Sequence, residues 1–158
     1  MNPKSDDADE LPISGYKTNI IIDNKSYNIH ILDTYGHDEY QNMFEMWISS
    51  GEGFLLVFSI NDRESFEELN WRKERIIKAK HGVFVPMVLV GNKQDLENER
   101  KVSYEEAKQL ADSWGIEYLE TSTKTNYNCK EAFEAIIMKI VSTKIKPKKS
   151  SCCNCLIF

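Results

Sequence analysis

The residues best suited to chemistry are Asn92, Lys93, Gln94 and Asp95, which follow an apolar run at 88–90. A carboxylate such as that of Asp95 can accept two hydrogen bonds at once, and guanine offers two adjacent donors, its N1–H and its exocyclic amine. Adenine has an acceptor at the first of these places, so a fixed carboxylate discriminates against it by about 1–3 kcal/mol. Asn92 would brace the loop or contact the purine N7, and the methylene stem of Lys93 would lie along the base. A polar turn that closes a strand could have the same composition, so four residues leave both interpretations open.

A second polar loop follows the next apolar run, residues 116–119, and contains Ser122, Thr123 and Lys124. A small, hydroxyl-rich loop of this kind can present backbone N–H groups to the carbonyl oxygen of guanine. Alone it is a weak indication, and it gains weight from its position after a predicted strand.

A third motif, Asp33, Thr34, Tyr35 and Gly36, ends an alternating strand at 27–32. An Asp-x-x-Gly at that point would hold Mg²⁺ through a water and offer the Gly36 N–H to a terminal phosphate. The alternative is that Asp33 is a helix N-cap and Gly36 a plain turn residue. Three such loops, each at the carboxyl end of a strand, favour one nucleotide site.

With these motifs in this order, the chain resembles the Ras family of small GTPases from about residue 16 to its last residue. The stretches 19–40, 51–66 and 85–96 look closest. The resemblance implies a P-loop NTPase-like G domain, binding of GTP or GDP with Mg²⁺, slow GTP hydrolysis, and signalling through effector and regulator proteins that it does not identify.

Carried over residue by residue, the resemblance implies that Asp33 is the metal position and that the nucleotide is bound by a larger set. This set is Asp33, Thr34, Tyr35, Gly36, His37, Asn92, Lys93, Gln94, Asp95, Ser122, Thr123 and Lys124. His37 stands where the family has a Gln that orients the attacking water, and Tyr35 fills a position normally taken by a small residue. Because imidazole lacks the paired carbonyl and amide of Gln, we expect hydrolysis to be weak or absent. The alternative is that both residues are exposed in a mobile loop.

A phosphate-cradling loop requires Gly-x-x-x-x-Gly-Lys-Ser/Thr, and the chain contains no Gly-Lys pair. The nearest approach, residues 15–18, has a displaced Lys and no preceding strand. The family's first strand, its phosphate loop and the following helix are not recognisable, and neither is the Thr of its first switch. We therefore expect a G domain that is incomplete at the N-terminus.

This gap predicts a structural defect. In the resembled fold the first strand lies between the hairpin and the strand at 53–60. Without it, two rows of backbone groups would be unpaired, at about 1–3 kcal/mol for each buried group. Against a total stability of roughly 5–15 kcal/mol this predicts poor solubility or partial order.

The alternation of strands and helices predicts an α/β fold with three layers and a mostly parallel sheet that carries one antiparallel hairpin strand. The predicted strands are a hairpin of 18–23 and 27–33 about Asn24-Lys25, followed by strands at 53–60 and 86–91. The predicted helices are one at 63–80, one that is capped by Ser103 and Glu106 and ends at Trp114, and a last one capped by Asn128 and Glu131. The last helix carries an apolar stripe of Phe133, Ile136, Ile137, Ile140 and Val141.

Composition indicates one domain. The 158 residues are 41% hydrophobic, and the net charge of −5 argues against a nucleic-acid partner. Residues 1–15 read as an acidic, flexible lead-in without the apolar region of a secretory signal, 16–143 as the G domain, and 144–158 as a basic tail.

The tail ends in Cys155-Leu156-Ile157-Phe158, a Cys-aliphatic-aliphatic-X pattern that favours a geranylgeranyl group on Cys155. Cys152 and Cys153 are candidates for palmitoylation, and the neighbouring lysines would add about 1 kcal/mol each near an anionic leaflet. We expect a lipid-anchored protein at the cytoplasmic face of the plasma membrane. A metal site or disulfide framework is the rival interpretation, but the tail has no complementary ligand pair.

Two function classes remain open. One is a Ras-like GTPase switch, whose nucleotide site would be complete only if this sequence is a truncated product. The other is a membrane-tethered, Ras-like binding module that recognises guanine without holding phosphates and does not switch.

Overall fold

The computed structural model describes residues 13–34, 41–144 and 152–157. Within them the chain forms strands β1 (Ile13–Ile22), β2 (Lys25–Thr34), β3 (Gly53–Ser59), β4 (Met87–Asn92), β5 (Glu117–Glu120) and β6 (Cys152–Ile157), and helices α1 (Gln41–Ser50), α2 (Arg63–Glu67), α3 (Leu69–Ala79), α4 (Tyr104–Trp114) and α5 (Cys129–Thr143). A 3₁₀ segment, Gln94–Glu99, follows β4.

The strands form one sheet in the order β1-β2-β6-β3-β4-β5. β1 runs antiparallel to β2, and the other neighbours are parallel. The predicted α/β fold, a mostly parallel sheet with one antiparallel hairpin strand, is therefore confirmed.

Helices cover both faces of this sheet. Phe54 and Leu56 of β3 belong to an apolar cluster that also contains residues of α1 to α4. Leu55, between them, belongs to a second cluster together with Val88 and Ile136 of α5. Successive strand residues point to opposite faces, so β3 supplies both clusters and the fold has three layers. Ile136, Ile137 and Ile140 of the predicted stripe are fully buried.

The hairpin turn lies one residue earlier than predicted. Asp23 and Asn24 are its central residues, with φ of 50° and 60°, whereas Lys25 is already the first residue of β2 and pairs with Ile22. A tight hairpin turn needs positive φ at both central positions, and Asp and Asn tolerate that conformation better than Lys does.

The helix predicted at 63–80 is interrupted at Glu68, which separates α2 from α3. The interruption is small, because the Glu68 N–H still donates to the Glu64 carbonyl at 3.1 Å. Nothing in the local composition marks it.

Of the two predicted capping boxes, the one at the start of α4 forms only one of its two hydrogen bonds, and the one at the start of α5 does not form. Ser103 Oγ accepts from the Glu106 N–H at 3.1 Å, but the Glu106 carboxylate pairs with Arg63 at 2.7 Å instead of returning to the cap. Asn128 is the N-cap residue of α5, as predicted, but its side chain makes no cap hydrogen bond: the residue is left-handed, with φ of 51°, and its Nδ2 donates to the Glu120 carbonyl at 3.0 Å. The bond to the preceding strand takes the place of the predicted side-chain cap bond.

β6 occupies the centre of the sheet, which corrects the prediction of two unpaired strand edges for residues 28–33 of β2 and 53–55 of β3. It pairs with β2 from Asn28↔Cys152 to Asp33↔Ile157 and with β3 from Gly53↔Cys155 to Leu55↔Ile157. Because any extended segment supplies backbone donors and acceptors, residues from the expected tail can complete the sheet. β1 likewise begins at Ile13, within the expected lead-in.

Among the helices that the structure describes, none has the length and apolar character needed to cross a bilayer.

Candidate functional site

Two of the three predicted loops meet at the carboxyl ends of β4 and β5. Their backbones are joined directly: the Thr121 N–H donates to the Gly91 carbonyl at 2.9 Å, and the Gln94 N–H donates to the Thr121 carbonyl at 3.0 Å. Adjacent parallel strands end at the same edge of the sheet, so residues far apart in sequence come together there. Gln94 contributes its backbone to this junction.

Asn92 braces the junction, which was one of the two roles predicted for it. Its Oδ1 accepts hydrogen bonds from Thr121 Oγ1 and from the Thr123 N–H, both at 3.3 Å. The amide oxygen thereby ties the end of β4 to the loop after β5.

Asp95 is held between two residues of the second loop. Ser122 Oγ donates to its Oδ1 at 2.5 Å, and Lys124 Nζ lies 3.8 Å from its Oδ2. Only 15% of the Asp95 side chain is exposed. An ionised carboxylate has about four acceptor positions, so these two contacts fix its orientation and leave acceptor capacity for a pair of N–H donors.

Ser122 is the buried residue of the second loop that holds Asp95 in place. It is fully buried, and its hydroxyl, besides donating to Asp95, accepts from the Thr125 N–H at 3.2 Å. The part of this loop at the surface is Thr123 and Lys124, both of which are exposed.

Lys93 lies at the sharpest point of the first loop. Its φ of 66° is left-handed, an uncommon conformation for a residue with a side chain, and the residue is exposed. The turn ends β4 and starts the segment that carries Asp95.

An ion pair that sequence reasoning missed supports both loops. Arg100 makes two parallel hydrogen bonds to Glu120, each at 2.8 Å, and two more to Glu97, at 2.8 and 2.5 Å. The Arg100 and Glu120 side chains are only 15% and 10% exposed. These bonds raise the pKa of Arg100, and Arg100 in turn lowers the pKa of Glu97. Arg100 directly follows the 3₁₀ segment that contains Asp95, and through Glu97 and Glu120 it joins this segment to the end of β5.

Tyr118 extends this network under the first loop. Its hydroxyl donates to Glu120 Oε1 at 2.8 Å, and burial, followed by that hydrogen bond, raises the pKa of Tyr118 far above its usual range. A Cβ on Gly91 would lie 2.6 Å from the Tyr118 Oη. Glycine at position 91 is therefore required by close packing beneath the site.

The phosphate side of the predicted site is described only in part. Asp33 is exposed at the end of β2, and Thr34 beside it is buried. Mg²⁺ in nucleotide sites is commonly held by one or two carboxylates together with phosphates and water, so an exposed Asp33 fits the ion. The described ranges contain no group of three or more His, Cys, Asp or Glu residues that could hold a metal ion by themselves. The roles predicted for Tyr35, Gly36 and His37 fall outside the described residues.

Together, the three-layer fold and the Asn-Lys-x-Asp loop, braced from the neighbouring strand, define an α/β domain of the G-domain type. The model of the Ras family matches residues 7–142, and the chain belongs to that family. It is 44% identical over 135 residues to "Protein ras-1" of Neurospora crassa, covering 85% of this chain and 63% of that protein. It is 44% identical over 132 residues to "Ras-like protein 1" of Saccharomyces cerevisiae, covering 84% of this chain and 43% of that protein. The chain thus spans less than two thirds of the length of either relative.

Proposed function

We propose that this protein binds guanine nucleotides through the loops after β4 and β5 and acts as a Ras-like small GTPase in signalling at a membrane. The observation that carries the proposal is the position of Asp95, whose carboxylate is oriented by Ser122 at 2.5 Å and faced by Lys124 at 3.8 Å. A carboxylate that is already oriented loses little freedom when it accepts the N1–H and amine of guanine.

The other side chains of the site complement this role. Lys93 is exposed at the loop apex and can cover the base, while Asn92 keeps the two loops in register through Thr121 and Thr123. The Arg100–Glu120 pair fixes the segment behind Asp95. This set distinguishes guanine from adenine by hydrogen-bond pattern and not by shape.

For the phosphates, Asp33 would hold Mg²⁺, which when bound neutralises phosphate charge. Gly36 would donate its N–H to the terminal phosphate, as the resemblance implies. Hydrolysis would be slow, because His37 positions water less well than Gln does. The membrane part of the proposal rests on Cys155, with Cys152 and Cys153 as further acylation sites, and corresponds to the cytoplasmic face of the plasma membrane.

A second function, a module that recognises guanine but does not switch, is supported by β6. This strand lies between β2 and β3, where the resembled fold has the strand that leads into its phosphate loop. A chain with β6 in that position would read the base through the loops after β4 and β5, with a strand and not a phosphate cradle between β2 and β3 in the part of the chain that the structure describes.

Binding of guanosine, GDP and GTP to the full chain, measured by calorimetry with Mg²⁺ and with EDTA, separates the two functions. A GTPase switch should bind GDP and GTP at least about 100-fold more tightly than guanosine, because charge-assisted bonds to phosphate add to base recognition. A base-reading module should bind all three weakly and alike, without an effect of Mg²⁺. Equal affinity for adenosine and guanosine would contradict both.

A further inference from the structure

We propose that β6 is a detachable strand, and that lipid attachment to Cys155 requires its release from the sheet. This inference rests on the proposed lipid anchoring and adds to it a means of regulation: the same six residues, Cys152–Ile157, serve either as the central strand or as part of the anchor.

The backbone around Cys155 is engaged on both sides. Cys155 is opposite Ile31 of β2 and opposite Gly53 of β3, and the next two residues, Leu156 and Ile157, are also paired with both strands. A residue in the middle of a sheet has its extended backbone bonded to neighbours rather than available to another protein.

Lipid attachment requires that a transferase, and not the sheet, binds these residues. The thiolate sulfur of Cys155 attacks C1 of a prenyl diphosphate, the C1–O bond breaks, diphosphate leaves with the electron pair, and the thiol proton passes to solvent. The transferase recognises the Cys-aliphatic-aliphatic-X end as a unit, so it must bind residues 155–157, which the sheet holds. Sheet pairing and modification therefore exclude each other at any one moment.

The end of α5 and the start of β6 lie at the same end of the sheet, so a short connection can join them within one chain. α5 ends at Thr143, and Lys144 Nζ lies 2.6 Å from Glu52 Oε1, directly before β3. This is the end of the sheet at which β6, parallel to β3, also begins. The seven residues 145–151 can span on the order of 25 Å when extended.

Release would leave two open edges, residues 28–33 of β2 and residues 53–55 of β3. Exposed edges of this kind pair readily with extended chains. The population with a released tail should accordingly be small in the unmodified protein, and the apparent rate of lipid attachment should fall in proportion to that population.

The test compares Cys153→Pro with Cys153→Ser in the full chain. Both variants lack the thiol of residue 153 and keep the sequence from Cys155 onward, but only proline removes a backbone N–H from the middle of β6. Purified protein is incubated with a protein geranylgeranyltransferase and geranylgeranyl diphosphate, and hydrogen exchange of 152–157 is followed by mass spectrometry. We expect C153P to be modified about ten-fold or more faster than C153S, and its amides in 152–157 to exchange about 100-fold faster.

The C153S protein also provides a test that does not depend on the folding of C153P. At saturating transferase its rate of modification should level off at the rate at which residues 152–157 open to exchange. Unprotected amides in C153S, equal modification of both variants, or a sheet completed by the tail of a second copy in a dimer would overturn the proposal. Modification of neither variant would instead refute the lipid anchoring itself.

Discussion

Ser122 and Asp95 are 27 positions apart in sequence, and the hydroxyl of the first donates to the carboxylate of the second at 2.5 Å. Ser122 is fully buried after β5, and Asp95 lies in the 3₁₀ segment after β4. The bond therefore connects the two loops through the group that we propose to read the base. Any substitution that displaces one loop should therefore also displace the other.

Substitution of Asp95 by Asn should change base preference. An amide offers one donor and one acceptor, which match the N1–H and the C2 carbonyl of xanthine but not the two donors of guanine. We expect Asp95→Asn to weaken guanine binding by about 1–3 kcal/mol and to strengthen xanthine binding, measured by competition between GDP and XDP. Asp112→Asn, on α4, removes an exposed ion pair with Lys108 and should leave the preference unchanged. Unaltered GDP binding in D95N would exclude the proposed contact.

Loss of Arg100 should destabilise the domain. Arg100→Met leaves the carboxylate of Glu120, only 10% exposed, without its two charged hydrogen bonds, at an expected cost of about 2–3 kcal/mol in the free energy of unfolding by urea. Arg63→Met, which breaks exposed pairs with Glu67 and Glu106, is the matched control and should have a much smaller effect. Equal losses in the two variants would show that Arg100 has no special role.

Gly91→Ala should be poorly tolerated. The added methyl would lie 2.6 Å from Tyr118 Oη and 3.2 Å from both Ile60 Cγ2 and Phe58 Cζ, so we expect a loss of about 1–3 kcal/mol and weaker guanine binding. Gly15→Ala, whose methyl would meet only Leu32 Cδ1 at 3.9 Å, should be nearly neutral.

A double variant identifies the contact that matters at position 91. Removing the hydroxyl in Gly91→Ala/Tyr118→Phe should recover part of the lost melting temperature, relative to Tyr118→Phe alone. Additive losses would show that the closest contact is not the cause.

Cys129 should react slowly with alkylating reagents near neutral pH. Burial, followed by the charge of Glu131, raises the pKa of its thiol, and its Sγ donates to the Ser122 carbonyl at 3.4 Å. The ordinary pKa of a cysteine thiol is about 8.5, and that of Cys129 lies above it. In a chain whose other cysteines are replaced by Ser, the alkylation rate should therefore keep rising as the pH passes this value. Glu131→Gln lowers the thiol pKa and should move the profile to lower pH. A profile that E131Q does not shift would contradict this assignment.

Cys155→Ser should release the protein from membranes, because one prenyl chain is the first requirement of the proposed anchor. Cell fractionation should place C155S in the soluble fraction and Cys129→Ser, which leaves the tail intact, in the membrane fraction. Retention of C155S on membranes would refute the anchor.

Much of the fold follows from local pattern. The apolar stripe of α5, the buried run of β3 and the Ser103 cap were predictable, because each depends on residues within a few positions of one another. The Asn-Lys-x-Asp motif likewise indicated guanine from the chemistry of its side chains. The Arg100–Glu120 pair was not predictable in the same way, since many charged residues could have been its partners and only packing selects one.

The sequence by itself determined the class of fold, and it predicted the carboxylate chemistry of Asp95 from the type and spacing of a few residues. Only the tertiary structure decided that Ser122 orients that carboxylate and that Cys152–Ile157 completes the sheet between β2 and β3. The physical reason is that strand pairing uses backbone groups that nearly every residue possesses. A segment's partner therefore depends on which edges the rest of the fold leaves open, and side-chain patterns do not record that.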